Sequence, residues 1–185
     1  MDTKMPYLII INGAPGVGKT TLAKRLHKDL AIGLVTKDAF KEFLFDTVGA
    51  DDRDWSFALG KEAIDFCYHF TKFALQHERS VIFESAFWPE HAKRDVEQLI
   101  QETGVRALEI YCTVTEETRH QRFNERIESG ERHHGHADSP ITTSDGLEKY
   151  GPLDVCQRVD VDTGEFYDEA YTDLLNVIKK FAKGE

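Results

Sequence analysis

The stretch GAPGVGKT, Gly13 to Thr20, has the residue types and spacing that bind phosphate. It is a complete G-x-x-x-x-G-K-[ST], the Walker A pattern. Gly13, Gly16 and Gly18 let successive backbone N–H groups curl round an anion while Ala14, Pro15 and Val17 complete the turn. Lys19 reaches toward the β and γ phosphates, Thr20 offers a hydroxyl to Mg²⁺, and Thr21 continues into a helix whose positive end faces the phosphates. The chemistry implied is binding of a nucleoside triphosphate, with ATP and Mg²⁺ as the expected cofactors.

Other residues could act on a phosphate held there. In LVTKDAFKE, Asp38 is either a helix N-cap or the carboxylate that orients or deprotonates an acceptor hydroxyl. Lys37 and Lys41 beside it hold an anionic acceptor or are ordinary surface lysines. In VIFESAFWPEH, Glu84 holds a water on Mg²⁺, contacts the acceptor, or buttresses the phosphate loop. Phe87 and Trp88 form an acceptor wall or pack in the core. In TEETRHQRFNERIESGERHHGHAD, Arg119, Arg122 and Arg126 recur at helical spacings, and Arg132 follows a Ser-Gly break. They read as a lid that neutralises phosphate charge, or as partners of Glu125 and Glu128. His133, His134 and His136 lack the four-residue spacing of a helical zinc pair, so phosphate or acceptor contact, by His134 and His136 above all, is the expectation over a metal.

Positioning these groups requires strands that end where the groups begin. Short apolar runs at 7–11, 33–35, 80–84, 107–114 and 157–161 alternate with amphipathic segments, which predicts five strands with helices between them. Leu22, Leu26 and Leu30 make one stripe on a helix beginning near Lys19, and a second helix starts at Asp38. In the segment 55–76, Phe57, Ile64, Phe66, Phe70, Phe73 and Ala74 predict a helix buried on more than one side. Pro89 and Gly104 bracket another, Thr115 caps the next, and the last runs from about Glu165 to Phe181. Strict alternation predicts a three-layer α/β/α sandwich around a five-stranded parallel sheet, with ligands beyond the carboxyl ends of the strands.

The bulk properties narrow the partners. A chain of 185 residues, 41% hydrophobic, suits one domain, with a mobile lid at about 115–150. A net charge of -10 disfavours nucleic acid and anionic membrane and favours a small-molecule partner. No run approaches the roughly 20 apolar residues of a membrane span. The absence of a signal-like start and three scattered cysteines, read as buried free thiols, point to the cytosol.

The motifs INGAPGVGKTTLAKRL, TKDAFKE and RFNERIESGERHHGHAD resemble those of small P-loop kinases: the chloramphenicol phosphotransferase, polynucleotide 5′-hydroxyl kinase and gluconate kinase-like group, and its AAA_33-type ATP-binding members. The resemblance covers nearly the whole chain and implies a P-loop NTPase fold of the nucleoside-monophosphate kinase-like type. It implies that Gly13, Gly16, Gly18, Lys19 and Thr20 hold phosphates and Mg²⁺, that Asp38 orients the acceptor hydroxyl, and that Arg122 and Arg126 are lid arginines, with Arg132 within reach. It lodges adenine between the lid and the loop of Asp162, Thr163 and Gly164. A chloramphenicol-type serine loop and a companion phosphatase or ligase domain are not seen. The activity expected is a kinase acting on a small-molecule hydroxyl, the alternatives being a polynucleotide 5′-kinase and a regulatory ATPase without an acceptor.

Overall fold

The computed structural model describes residues 5–49, 53–130, 132–136, 138–141, 143, 146–164 and 167–185. Its strands are β1 (Tyr7–Asn12), β2 (Gly33–Thr36), β3 (Val81–Glu84), β4 (Arg106–Thr113) and β5 (Gln157–Asp162). Its helices are α1 (Lys19–Leu30), α2 (Lys37–Val48), α3 (Arg53–Gln76), α4 (Pro89–Thr103), α5 (Glu116–Glu128) and α6 (Asp168–Lys183). All four strand pairings are parallel, in the order β2-β3-β1-β4-β5.

Strand periodicity divides the core in two. Tyr7, Ile9 and Ile11 face one way, against Leu22 and Leu26 of α1 and Leu174 and Ile178 of α6. Leu8 and Ile10 face the other, against Cys67 of α3 and Val96 and Leu99 of α4. The result is the expected three-layer α/β/α sandwich. Each fully buried Ile or Leu contributes about 2 kcal/mol from apolar burial. With α1 and α4 on opposite faces, the chain leaves β1 toward β2 but leaves β3 back across β1 to β4. That reversal opens a crevice at the carboxyl edge.

Local signals place several helix ends. Pro89 opens α4 and Gly104 closes it in the left-handed region. Thr115 caps α5, its hydroxyl accepting from the Thr118 N–H at 3.3 Å. The cap of α2 is Thr36, whose Oγ1 accepts from the Ala39 N–H at 3.4 Å. Asp38 therefore lies inside the first turn and does not cap. The last helix begins at Asp168; the expected start at Glu165 lies outside the described residues.

Helix α3 departs from expectation. Its aromatics do not fill the core: Phe57 is 70% exposed, and Phe66, Phe70 and Phe73 are each about half exposed. The buried face is Leu59, Ala63, Cys67, Thr71 and Leu75, spaced by four. Small side chains on that stripe let the helix lie close to the sheet, and the bulkier stripe turns outward, where Phe66 and Phe70 meet Phe40 of α2. Of the three free cysteines, Cys67 and Cys112 are buried and Cys156 is only partly so. No helix among the described residues is long and apolar enough to cross a membrane.

Candidate active site

The phosphate loop joins β1 to α1 at the centre of the carboxyl edge. Gly13 has φ +140°, and a Cβ there would lie 2.3 Å from the Cys112 carbonyl oxygen; one on Gly16, at φ +90°, would lie 2.8 Å from the Arg119 carbonyl oxygen. Only glycine fits so close an approach in that backbone region. Asn12 anchors the loop at its start, its side-chain oxygen accepting from the N–H groups of Gly13 at 2.7 Å and Phe87 at 3.2 Å. Its amide donates to the fully buried Glu109 at 2.9 Å, which also accepts from the Leu153 and Asp154 N–H groups. The exits of β1 and β3 are thereby tied through one side chain to the middle of β4 and to the segment that precedes β5.

Lys19 is buried and donates to the loop's own Ala14 carbonyl at 2.9 Å. Burial lowers its pKa, and the nearby Glu84 opposes that shift. Glu84, at the end of β3 and paired in register with Ile11, is itself buried, which raises its pKa against the pull of Lys19. It is hydrogen-bonded to Thr20. A threonine hydroxyl beside a carboxylate is a hard-oxygen donor set, which suits Mg²⁺ better than a soft metal. The loop's positive-φ backbone and buried lysine likewise suit a phosphate chain.

Facing the loop is a cavity of about 1240 Å³. Gly16, Gly18, Lys19, Thr20 and Thr21 line one side; Asp38, Lys41, Glu84, Phe87 and His136 line it elsewhere, as do Arg122, Arg126 and Arg132. Phe87 is both wall and core, packing edge-on against Phe83 with ring centroids 5.1 Å apart. Asp38 is fixed from the loop after α5: Arg132 donates to it from Nη1 at 2.9 Å and to Asp138 from Nε at 2.6 Å. Burial would raise the Asp38 pKa, but Lys37, His136 and Arg132 outweigh it and hold the carboxyl well below its ordinary range. Such a carboxylate orients a hydroxyl well and accepts a proton poorly.

The loop after α5 docks along α2. Asp38, Glu42 and Asp46 stand four apart on that helix and meet Arg132, His136 at 2.8 Å and His133 at 3.2 Å respectively. Gly135 lies on Phe45, where a Cβ would come within 2.6 Å of the ring, and its carbonyl accepts from Ser56 at 2.7 Å. Of the expected acceptor contacts, His136 lines the cavity, whereas His134 packs edge-on against Phe45 and lies outside it. Asp46, His133 and His134 do come close enough to share an ion. However, the Gly135 N–H donates to His133 Nδ1 at 3.1 Å, which leaves the proton on Nε2, where a metal would have to bind.

The arginines separate by role. Arg119 is buried and backs the phosphate loop at Gly16, outside the cavity. Arg122 donates to the hydroxyl and carbonyl of Thr163, both at 3.1 Å, and that hydroxyl donates to the Val17 carbonyl at 2.7 Å. Arg126 lines the cavity from the last turn of α5, exposed. Among the described residues no ion pair joins these arginines to Glu125 or Glu128; Glu125 accepts instead from Gln121.

An AAA domain family model matches residues 8–139, which spans the phosphate loop, Asp38 and the arginines of and after α5. The chain belongs to this AAA domain family. It is similar to a candidate kinase from Chloroflexus aurantiacus J-10-fl, with 32% identity over 95% of this chain and 98% of that one and a TM-score of 0.86. Two more distant structures share the fold. Kti12 of Chaetomium thermophilum, in complex with ADP-AlF3, is 13% identical over 94% of this chain and 97% of its own, with a TM-score of 0.65. A gluconokinase from Sinorhizobium meliloti 1021 is 14% identical over 98% and 96%, with a TM-score of 0.61. No curated protein matches the sequence. For this AAA domain, membership and likeness support nucleotide-dependent phosphotransfer in general, with no acceptor specified.

Two features of this AAA domain lay outside the sequence reading. The acidic stripe Asp38, Glu42, Asp46 was available as D-x-x-x-E-x-x-x-D in DAFKEFLFD, but nothing local says what it meets. A second cavity of about 270 Å³, lined by Gly18, Thr21, Leu22, Arg25, Arg122 and Thr163, lies where α1, α5 and the β5 exit converge.

Proposed function

We propose that the protein is an ATP- and Mg²⁺-dependent kinase that moves the γ phosphoryl group to a hydroxyl of a small molecule. The observation that carries this reading is Asp38 standing in the same cavity as Lys19, fixed by Arg132, with its carboxyl held ionised. Gly13 to Thr21 cradle the phosphates, and Lys19 steadies the β and γ groups. Thr20, with Glu84 behind it, would hold Mg²⁺, which supplies charge neutralisation on the transferred group when bound. Adenine lodges in the smaller cavity, which Gly18, Arg122 and Thr163 line together.

Asp38 orients the acceptor by taking its hydroxyl hydrogen bond. The acceptor oxygen bonds to the γ phosphorus as the bond from that phosphorus to the β–γ bridging oxygen breaks, and ADP leaves with the electron pair. The hydroxyl proton passes to the carboxylate only as the new ester forms. Arg126 and Arg132 neutralise charge on the transferred group, and the lid excludes water. We read the chain as one P-loop kinase domain with a mobile lid at about 115–150. Its free thiols suit the reducing cytosol.

The test is ADP release with a panel of sugars, nucleosides, nucleotides, antibiotics and 5′-hydroxyl oligonucleotides. One class of small hydroxyl compound should accelerate turnover, and Asp38→Asn should lower that rate about 100-fold while leaving ATP affinity nearly intact. Stimulation by oligonucleotides alone would mean a polynucleotide kinase, and slow hydrolysis indifferent to every acceptor a regulatory ATPase.

A further inference from the structure

Among the described residues, the acceptor side of the cavity carries a charge without a counter-ion. Lys41 is only 7% exposed and lines the cavity, yet among the described residues no carboxylate pairs with its ammonium. The nearest acids to influence it are Asp138 and Asp38, and Arg132 bridges both. Lys37, one turn earlier on the same face of α2, also lines the cavity and meets Asp38 at 3.4 Å. Three cations thus share two carboxylates, and one positive charge is left over. An ammonium held among packed side chains without a counter-ion is costly, so a cavity that keeps one suits an anion supplied from outside.

The surroundings set what kind of anion. Both lysine stems run past Gly60 of α3, whose missing side chain leaves Lys41 Cδ and Cε 3.9 Å and Lys37 Cε 4.0 Å from the position a Cβ would take. Phe57, Ile64, Tyr68 and Trp88 line the same cavity and offer apolar surface. The buried Tyr68 hydroxyl has no hydrogen-bond partner among the described residues. Asp38 and Lys41 lie three residues apart on α2, so one compact molecule can meet both.

On the kinase reading above, we infer that the acceptor is an anionic alcohol: a small molecule whose carboxylate or phosphate is bound by Lys41 and Lys37 while its hydroxyl meets Asp38. The phosphate loop, which lines the same cavity, is a separate anion site.

Matched pairs of probes test this: glycerate against glycerol, glycerol phosphate against glycerol, and a nucleoside monophosphate against its nucleoside. With a non-hydrolysable ATP analogue filling the phosphate loop, acetylation of Lys41 in the intact protein is followed by mass spectrometry. The anionic member of at least one pair should protect Lys41 and the neutral member should not. Equal labelling with and without every anionic probe at high millimolar concentration overturns the inference.

In turnover, an anionic probe should stimulate ADP release at least tenfold more than its neutral partner. Lys41→Met should raise its KM about 10- to 100-fold with the KM for ATP unchanged, and Lys41→Arg should recover part of that. Equal use of the neutral partner, or an equal rise in the KM for ATP, overturns it. Lys41 protection with no stimulated ADP release would keep the anion site and remove the kinase.

Discussion

The two sides of the large cavity are built in opposite ways. The phosphate-loop side is backbone: consecutive residues, turned by glycines against Cys112 and Arg119, with Lys19 folded back on Ala14. The α2 and lid side is made of side chains, with Asp38 and Arg132 drawn from positions 94 apart. A backbone cradle is specified by local sequence and tolerates little change. A side-chain cradle depends on the fold to bring its members together, and it is where one family can vary its acceptor while keeping its nucleotide site.

That contrast can be broken first at Lys19. Lys19→Ala should abolish detectable nucleotide binding and reduce ADP release about 100- to 1000-fold with the circular dichroism spectrum intact. Lys19→Met, which keeps the stem against its buried neighbours, separates lost charge from lost packing. Unchanged affinity and rate in both would mean that the loop does not hold the phosphates.

A smaller effect is expected on the side-chain wall. Arg132→Ala should cost about 1–2 kcal/mol in urea unfolding, a figure discounted because Asp38 is partly exposed. Arg132→Lys should recover less than half, because one ammonium cannot reproduce the Nε and Nη1 contacts to two carboxylates. Full recovery by lysine would show that charge alone holds the lid to α2.

The smallest effect is pH-dependent. Burial lowers the His136 pKa from its usual 6.5 against the pull of Asp38 and the Glu42 hydrogen bond, so the folded ring favours the neutral form. Below that value the unfolded chain binds more protons than the folded one. The stability contributed is therefore complete above the unfolded pKa and declines as pH falls. The urea midpoint should drop between pH 7 and about 5.5, and His136→Asn should flatten the drop. An unaltered slope in that variant would assign the titration elsewhere.

Much of this was readable in advance wherever the cause is local. Gly13 to Thr20, the Thr115 cap, the Pro89 and Gly104 bracket and the alternation of strands with helices each act through neighbours in the chain, so the fold and the phosphate loop were legible. Helix α3 was not. It carries two apolar stripes, and only contact with the sheet decided that Leu59, Ala63, Cys67 and Leu75 go in and the phenylalanines stay out. His134 and His136 are equivalent in the sequence, yet one packs on Phe45 and the other turns into the cavity.

The sequence by itself determined a phosphate cradle at the end of a buried strand, because glycine conformation, a lysine and a helix start follow from consecutive residues. Only the tertiary structure decided that Arg132 claims Asp38 and Asp138 and leaves Lys41 without a carboxylate partner among the described residues. Which charges neutralise one another depends on distances across the fold, and electrostatic pairing falls off with those distances whatever the order of residues along the chain.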